Sequence, residues 1–531
     1  MTLTATSPLK QTEPAQEIQE ETPAVVQRPN RRAVMVSAVL TQLMIVLDLT
    51  IIAIALPHMQ EDLGMTVSQS PWTVTGYSLA FGGLVLFGGR LCAVVGIRRS
   101  YQVGLIGFGI ASLAAGMATS FPVLLAARVA QGCFGALLAP TSQSLLNVTF
   151  TERTERERVF AIFGATGGLG AAVGLLVGGA LTDWFSWRWA LYINILLAAA
   201  ALLIGQRSLP PADQRDRDSR ITDDLSGLVL GCGACFSAVY GLDRAQQTSW
   251  TSTSTVSWLA LGGITAVLFV VRERFASRPV LPLSMMALPV RAASYATQFV
   301  AGAAQMGAII YLTYYMQNHF GYSPLKSGVV FLPMVLALIA TAIPAGHIIV
   351  PRLGARGTLP LGLAVLAGAF LIFSRMTTES TYEHVALPGL IVFGMGLGLT
   401  MPVTFNSGTR GVDAQRTGLA SAILSAAQQI GGSFGVALMT SYATQHAEDY
   451  VTDHAAQVRA EAMEAMMRAQ ALPQSPAGKQ IIETLKAQLV DRAQIEAYSG
   501  GFTMMTWLLA GAATILVACG IGLSLRRRRR R

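Results

Sequence analysis

The sequence predicts an all-α polytopic membrane protein: 14 transmembrane helices, arranged as two pseudo-symmetric six-helix bundles plus an inserted helix pair. Three observations carry this expectation. Of 531 residues, 52% are hydrophobic and only 13% charged, against about 25% charged in a typical soluble domain. Apolar runs of about 20 residues recur from Ala33 almost to the C-terminus, each able to cross about 30 Å of hydrocarbon as a helix. Basic residues crowd alternate connections between those runs, as they do when one set of loops stays in the cytoplasm.

The elements follow in order. Residues 1–32 are polar and rich in Thr, Glu, Gln and Pro. They lack the apolar content to build a core and are expected to be a disordered cytoplasmic segment. The run at Ala33 is not read as a secretory signal, because it follows a polar stretch, has no small-residue cleavage site and is followed by many more runs. Spans at 33–56, 72–92, 101–119, 122–148, 158–181 and 189–206 would make an N-terminal bundle over 33–206. A cytoplasmic linker and two extra spans, 225–242 and 256–272, fill residues 207–292. Spans at 293–316, 327–350, 357–376, 384–408, 417–443 and 502–524 would make the C-terminal bundle, 293–525. Its last connection, 444–500, is Ala-, Glu- and Gln-rich, too charged to cross a bilayer, and expected to be helical on the extracytoplasmic face.

Orientation comes from the cations. With both termini in the cytoplasm, the inner connections carry Arg98 and Arg99, Arg153, Arg156 and Arg158, then Arg207, Arg215, Arg217 and Arg220. They go on with Arg272, Arg274 and Arg278, Arg352 and Arg356, and Arg410 and Arg416, while the outer ones hold little beyond Arg188, Arg244 and Lys326. Arg526 to Arg531 form a basic cytoplasmic tail. Beside a membrane span it reads as a topology signal resting on anionic lipid, not as a nucleic-acid contact. The net charge of +9 therefore says little about any ligand.

A repeat is visible. With Gly354 laid on Gly96, Gly346 falls on Gly88 and Arg356 on Arg98. Repeats of this kind point to a transporter with its site at the interface of the two units.

A carboxylate stands inside the first span. Asp48, in "VLDLTIIAIALP", is the one carboxylate in a stretch that is otherwise almost purely apolar. Burying a charge in a bilayer is costly, so such a residue faces a cavity or a partner and marks a proton or substrate path. Arg128, in "LAARVAQGCFGALLAP", is a candidate partner, with Gln131 and Gly135 on its helix face. An arginine stays charged at any relevant pH and can tune a proton site without titrating. Gly170, Gly174 and Gly178 recur every four residues in the fifth span, which lets another helix approach closely. His58, His347 and His384 show no spacing for a metal site. No GxxxxGK[ST] phosphate loop and no hydrolytic constellation is present, so the reading is of a secondary active transporter, not an enzyme, with no cofactor and a proton gradient as energy source. Cys232 and Cys235 form a CxxC inside an apolar run without a second ligand pair, and read as packing residues.

These stretches together resemble the fourteen-helix drug/proton antiporter family (EmrB/QacA type) of the major facilitator superfamily. "LDLTIIAIALP", "RVAQGCFGA", "GLGAAVGLLVGGAL", "SWRWALYIN", "GYSPLKSGVVFLP" and "GLASAILSAAQQIGGSFGVAL" each resemble a family stretch, over roughly residues 33 to 525. The resemblance implies a multi-pass protein of the cell (inner) membrane that exports small amphipathic or toxic compounds, in exchange for protons, by alternating access. It implies proton coupling at Asp48 and Arg128, and a helix-packing hinge at Gly174, Gly178 and Gly179. Gly89, Gly96, Arg98 and Arg99 match the family's motif after the second helix, but Ala93 and Val94 replace its acid and base. Leu175 and Leu196 stand where the family has Pro, and Gly500 where an acid is common. A substrate cavity, mostly apolar, would take polar groups from Gln42, Gln131, Asn406 and Gln428. "AQIEAYSGGF" resembles members that work with a periplasmic adaptor, which adds an adaptor to the expected partners: a small-molecule substrate, protons and membrane lipid. Two alternatives stay open: a proton-coupled importer or facilitator of one metabolite, and a membrane sensor or scaffold that binds partners through 444–500.

If the CxxC only packs, Cys232→Ser leaves expression, folding and transport unchanged, as measured on the purified variant beside the parent protein.

Overall fold

The computed structural model describes residues 30–529, apart from 67–68, 207, 210–224, 277–278, 280, 282, 287, 414–415 and 469–474. The expected N-terminal disorder, most of the linker after residue 206 and the end of the basic tail lie outside the described residues. Every regular element described is helical. The first group is α1 (Arg31–Asp62), α2 (Trp72–Val95), α3 (Ile97–Gly116), α4 (Phe121–Thr149), α5 (Arg153–Trp184) and α6 (Trp187–Gly205). Then come α7 (Leu225–Gln247) and α8 (Thr253–Phe275). The last group is α9 (Pro289–Tyr314), α10 (Pro324–Val330), α11 (Leu332–Pro344), α12 (Val350–Phe373), α13 (Leu387–Thr409), α14 (Thr417–Arg468) and α15 (Pro476–Arg529).

Each of the apolar segments read from the sequence falls on a helix. Among the described residues, 12 helices are long and apolar enough to cross a membrane, counting α10 and α11 as one. Neither α3 nor α5 is among them. The apolarity of α3 is diluted at its start by Arg98, Arg99, Ser100 and Gln102, yet it lies against both α4 and α6.

Local chemistry sets the helix ends. Asn30 Oδ1 accepts from Ala33 N at 3.3 Å at the start of α1, and Ser186 and Ser323 cap α6 and α10 in the same way. Gly96, with φ of 96°, separates α2 from α3, and Gly354, with φ of 65°, kinks α12. Both need the left-handed region open to glycine, and they are the two positions that the sequence repeat superposes.

Packing divides along the chain. Helix α1 lies on α4, α5 and α6, and α2 on α4; α9 lies on α13 and α14, α11 on α13, and α12 on α13 and α15. Glycine seams set several of these contacts. A methyl group on Gly174 of α5 would overlap Thr50 Oγ1 of α1. On Gly431 or Gly435 of α14 it would overlap the carbonyl oxygens of Phe299 or Ala303 of α9. In both groups, then, the helix that follows the α4 or α13 step rides closely on the group's first helix, and in the α14–α9 seam backbone meets backbone. Helix α7 packs on α8, α2 and α14, with the Asp243 carboxylate accepting from Thr75 Oγ1 of α2 at 3.0 Å.

Within the connection 444–500, residues 444–468 and 476–500 are helical and continue the flanking helices. Helices α14 and α15 run 52 and 54 residues without interruption, about 80 Å each at 1.5 Å per residue, far beyond a bilayer's thickness. The projecting part of α15 is tied back to the helical turn that follows α9, Tyr315–His319, by His319 and Asp491, 3.2 Å apart. At α1's C-terminal end, Arg188 Nη1 donates to Asp62 Oδ2 at 2.6 Å and Trp187 Nε1 donates to the same oxygen at 3.1 Å. The bond from Arg188, helped by that from Trp187, lowers the Asp62 pKa below its ordinary value.

Because the α14–α9 seam has no room for side chains, Gly435→Val is expected to destabilise the protein by about 1–3 kcal/mol or more. Gly368→Ala, which meets nothing within 4 Å, is expected to be neutral. Thermal unfolding in detergent compares the two.

Candidate functional site

The first span's acid lies in a closed polar cluster. Asp48 is 1% exposed and Arg128 and Gln131 are 0% exposed. Arg128 Nη1 donates to Asp48 Oδ2 at 2.6 Å and to Gln131 Oε1 at 2.8 Å. Arg128 Nε donates to the Thr73 carbonyl at 3.0 Å, and the guanidinium lies over the Tyr77 ring, 4.6 Å from its centroid. On the other carboxylate oxygen, Asn194 Nδ2 donates to Oδ1 at 2.6 Å and Gln131 Nε2 donates to it at 3.3 Å. Gln131 Nε2 also donates to Ser112 Oγ at 2.7 Å.

Five helices supply these groups: α1 the acid, α2 Thr73 and Tyr77, α3 Ser112, α4 Arg128 and Gln131, α6 Asn194. The spacing of α4 brings two of them together, because positions three apart share a helix face. Gly132 lets that face close on α2, where a methyl group would overlap the Tyr77 carbonyl oxygen. A buried ion pair is tolerated when its remaining donors and acceptors are satisfied. Here Asp48 takes bonds on both oxygens. The guanidinium spends Nε and Nη1, while its Nη2 has no hydrogen-bond partner; the same is true of Tyr77 OH and Asn194 Oδ1.

The other expected site residues lie elsewhere. Gln42 is half-buried on α1 and makes no described contact with the Asp48 cluster. Asn406 is buried on α13, its Oδ1 without a hydrogen-bond partner. Gln428 of α14 is half-buried and its Nε2 donates to Gln305 Oε1 of α9 at 3.5 Å. The expected quartet of lining amides is thus not one group: Gln131 is occupied by Asp48, Arg128 and Ser112. The glycines Gly170, Gly174 and Gly178 all face α1, at Val46, Thr50 and Ile51, and Gly179 is buried on the same helix. Arg98 Nη2 donates to the Gln206 carbonyl at 3.2 Å, and Arg99 is exposed.

The two helix groups meet where α2 and α4 lie on α14 and where α5 lies on α10, α11 and α13; Gly89 is one close approach. A methyl group there would overlap Ala422 Cβ and press on the Gly418 carbonyl of α14. Gln143 Nε2 donates to Ser425 Oγ at 3.1 Å, and Thr409 Oγ1 donates to Asn147 Oδ1 at 3.1 Å. Phe405 stacks on Phe160 and meets Phe163 edge-on. These contacts between the groups are neutral bonds and small residues, and Ala93 and Val94 stand where the family motif has an acid and a base. On the flank of α2, α4 and α7 lies an apolar cavity of about 500 Å³, with Cys232 in its wall. Cys235 is buried and both thiols are free.

Sequence reasoning passed over Asn194 as a site residue, and also Ser112, Thr73 and Tyr77. Asn194 had a signal: an amide alone within "ALYINILLA" is as anomalous in lipid as an acid. Serine, threonine and tyrosine are common enough in spans that theirs carried none.

Long apolar helices closed around a buried ion pair describe a polytopic membrane protein. The chain belongs to the Major Facilitator Superfamily, whose family model matches residues 38–436. It is 39% identical to the puromycin resistance protein pur8 of Streptomyces alboniger, over 80% of this chain and 84% of that one. It is 33% identical to the cephamycin export protein CmcT of Amycolatopsis lactamdurans, over 76% and 83%. It is 32% identical to the tetracenomycin C resistance and export protein of Streptomyces glaucescens, over 75% and 73%. The crystal structure of the human organic anion transporter MFSD10 shares the fold, with a TM-score of 0.55 at 16% identity, covering 91% of this chain and 100% of that one.

Removing one member of the pair leaves an uncompensated buried charge. Arg128→Met is expected to cost about 3–5 kcal/mol, and adding Asp48→Asn should recover part of it. A double-mutant cycle on thermal unfolding measures the recovery.

Proposed function

We propose that this chain is a proton-coupled exporter of small amphipathic or toxic compounds, working by alternating access in the cell (inner) membrane. It belongs by this reading to the fourteen-helix drug/proton antiporter branch. Spans α1 to α6 form one bundle (33–206) and α9 to α15 the other (293–525). Helices α7 and α8, within 207–292, are an inserted pair, and both termini are cytoplasmic. The relatives named for antibiotic resistance and export support the direction of transport.

One observation carries the coupling: a carboxylate fixed at 2.6 Å from an arginine, with no exposed surface. The guanidinium keeps its charge at every working pH, so only the acid can change state. When Asp48 is ionised, the pair is neutral overall and the donors of α4 and α6 hold α1. When Asp48 takes a proton, Arg128 is left with an uncompensated charge in a site of low dielectric, which is unfavourable unless the helices rearrange or water enters. Proton uptake therefore changes the preferred packing of α1 against α4 and α6. The glycine seam between α5 and α1 offers an interface that can slide with it. The neutral contacts near Gly89 close the other group of helices on α2 and α4, and must part when the cavity opens to that side. The α14–α15 hairpin is the surface that a periplasmic adaptor would meet.

The test uses protein reconstituted into liposomes with an imposed pH gradient and puromycin as probe. The parent protein is expected to concentrate puromycin against its gradient, and Asp48→Asn to reduce this to the gradient-free level while staying folded. Uphill transport by Asp48→Asn at the parent's rate would refute the coupling site. Absence of transport by the parent, across a panel of such compounds, would refute the export reading.

A further inference from the structure

The groups that touch Asp48 differ in what they can accept. Arginine has no acceptor at all. The Gln131 carbonyl oxygen already takes the Arg128 Nη1 hydrogen at 2.8 Å. The better bond of the Gln131 amide nitrogen runs to Ser112, at 2.7 Å against 3.3 Å to the carboxylate. Asn194 is different. It is 0% exposed, its nitrogen is 2.6 Å from Asp48 Oδ1, and its own Oδ1 has no hydrogen-bond partner. It comes from α6, whereas Arg128 and Gln131 both come from α4.

An ionised carboxylate only accepts, whereas a protonated one must also donate. A buried acid that gains a proton needs an acceptor at once, because an unsatisfied buried hydroxyl is costly. The asparagine amide presents a donor and an acceptor on one short side chain, and its last torsion is two-fold and soft.

We propose that Asn194 is the positioning residue that allows Asp48 to exist buried in both protonation states. Its amide donates to the ionised carboxylate and, turned over, accepts from the protonated one. The inference rests on the reading of Asp48 as the proton site. Among the described contacts, Arg128 of α4 is the one cation at the carboxylate and Tyr77 of α2 the one further titratable group beside that pair. Helices α3 and α6 bring only Ser112 and Asn194, and α5 brings Gly174 against Thr50. Among the described residues no charged side chain other than Arg128 lies at the carboxylate, and Arg128 cannot accept.

The experiment uses the full chain in lipid nanodiscs and follows the protonated-carboxyl carbonyl band by infrared spectroscopy across a pH titration. Asp48→Asn identifies the Asp48 band. In Asn194→Leu, of similar size but unable to donate or accept, the midpoint of that band is expected to move by about one pH unit, since bonds to an ionised group outweigh those to a neutral one. In Asn194→Thr, whose hydroxyl donates or accepts by rotation, the midpoint should return at least halfway to the parent's. Thermal unfolding checks that each variant is folded, and Asn194→Ala replaces Asn194→Leu if the latter is not. An unmoved midpoint in the leucine or alanine variant overturns the inference, as does a threonine variant that behaves like it. If Asp48→Asn removes no titrating band, it is the assignment of Asp48 as proton site that fails.

Discussion

A carboxylate and a guanidinium 2.6 Å apart, both without solvent, constrain the first six helices more than any other contact. Neither charge can be left alone at that depth. The acid arrives on α1 and the cation on α4, so those helices must be held at one depth and one rotation. The remaining lone pairs and hydrogens then recruit α2, α3 and α6. Around this pair an apolar side chain can be exchanged for another of similar size at little cost, whereas removing a bonded polar one leaves its partner buried without that bond.

The same constraint links structure to transport. In lipid, helices gain little from hydrophobic burial against each other, so van der Waals contact and hydrogen bonds determine association. The glycine seams supply contact without interlocking side chains. The Asp48 cluster supplies a charged interaction that, on the proposed reading, changes when the acid takes a proton while the guanidinium keeps its charge. Between the helix groups, the Gln143–Ser425 and Thr409–Asn147 bonds and the aromatic edges around Phe405 are of a third kind, neutral contacts that carry no charge of their own.

The relatives are named for puromycin resistance, cephamycin export, and tetracenomycin C resistance and export. Kinship with them does not by itself choose a compound. The amides placed near the two groups' interface, Gln428 with Gln305 on one side and Asn406 on another, are separate, so recognition by one converged polar set is not what the structure presents.

Much of this was legible in the residues. Hydropathy fixes which stretches are helices, because a bilayer leaves the backbone no other way to satisfy its hydrogen bonds. The solitary charges at Asp48 and Arg128 stand out for the same reason, and Gly96 and Gly354 betray a repeat because few residues adopt their backbone angles. What the sequence could not decide is which polar groups meet. Gln131 could have lined a cavity or backed the acid, and only the rotation of α4 against α1 sends it to Asp48. Asn194 joins because α6 packs beside α1, a contact between residues 146 apart in the chain. The connection 444–500 reads as helical from composition, but its continuity with α14 and α15 depends on how those two helices support each other. Local composition sets the solvent each segment prefers; the pairing of distant segments is set by packing, which no single stretch encodes.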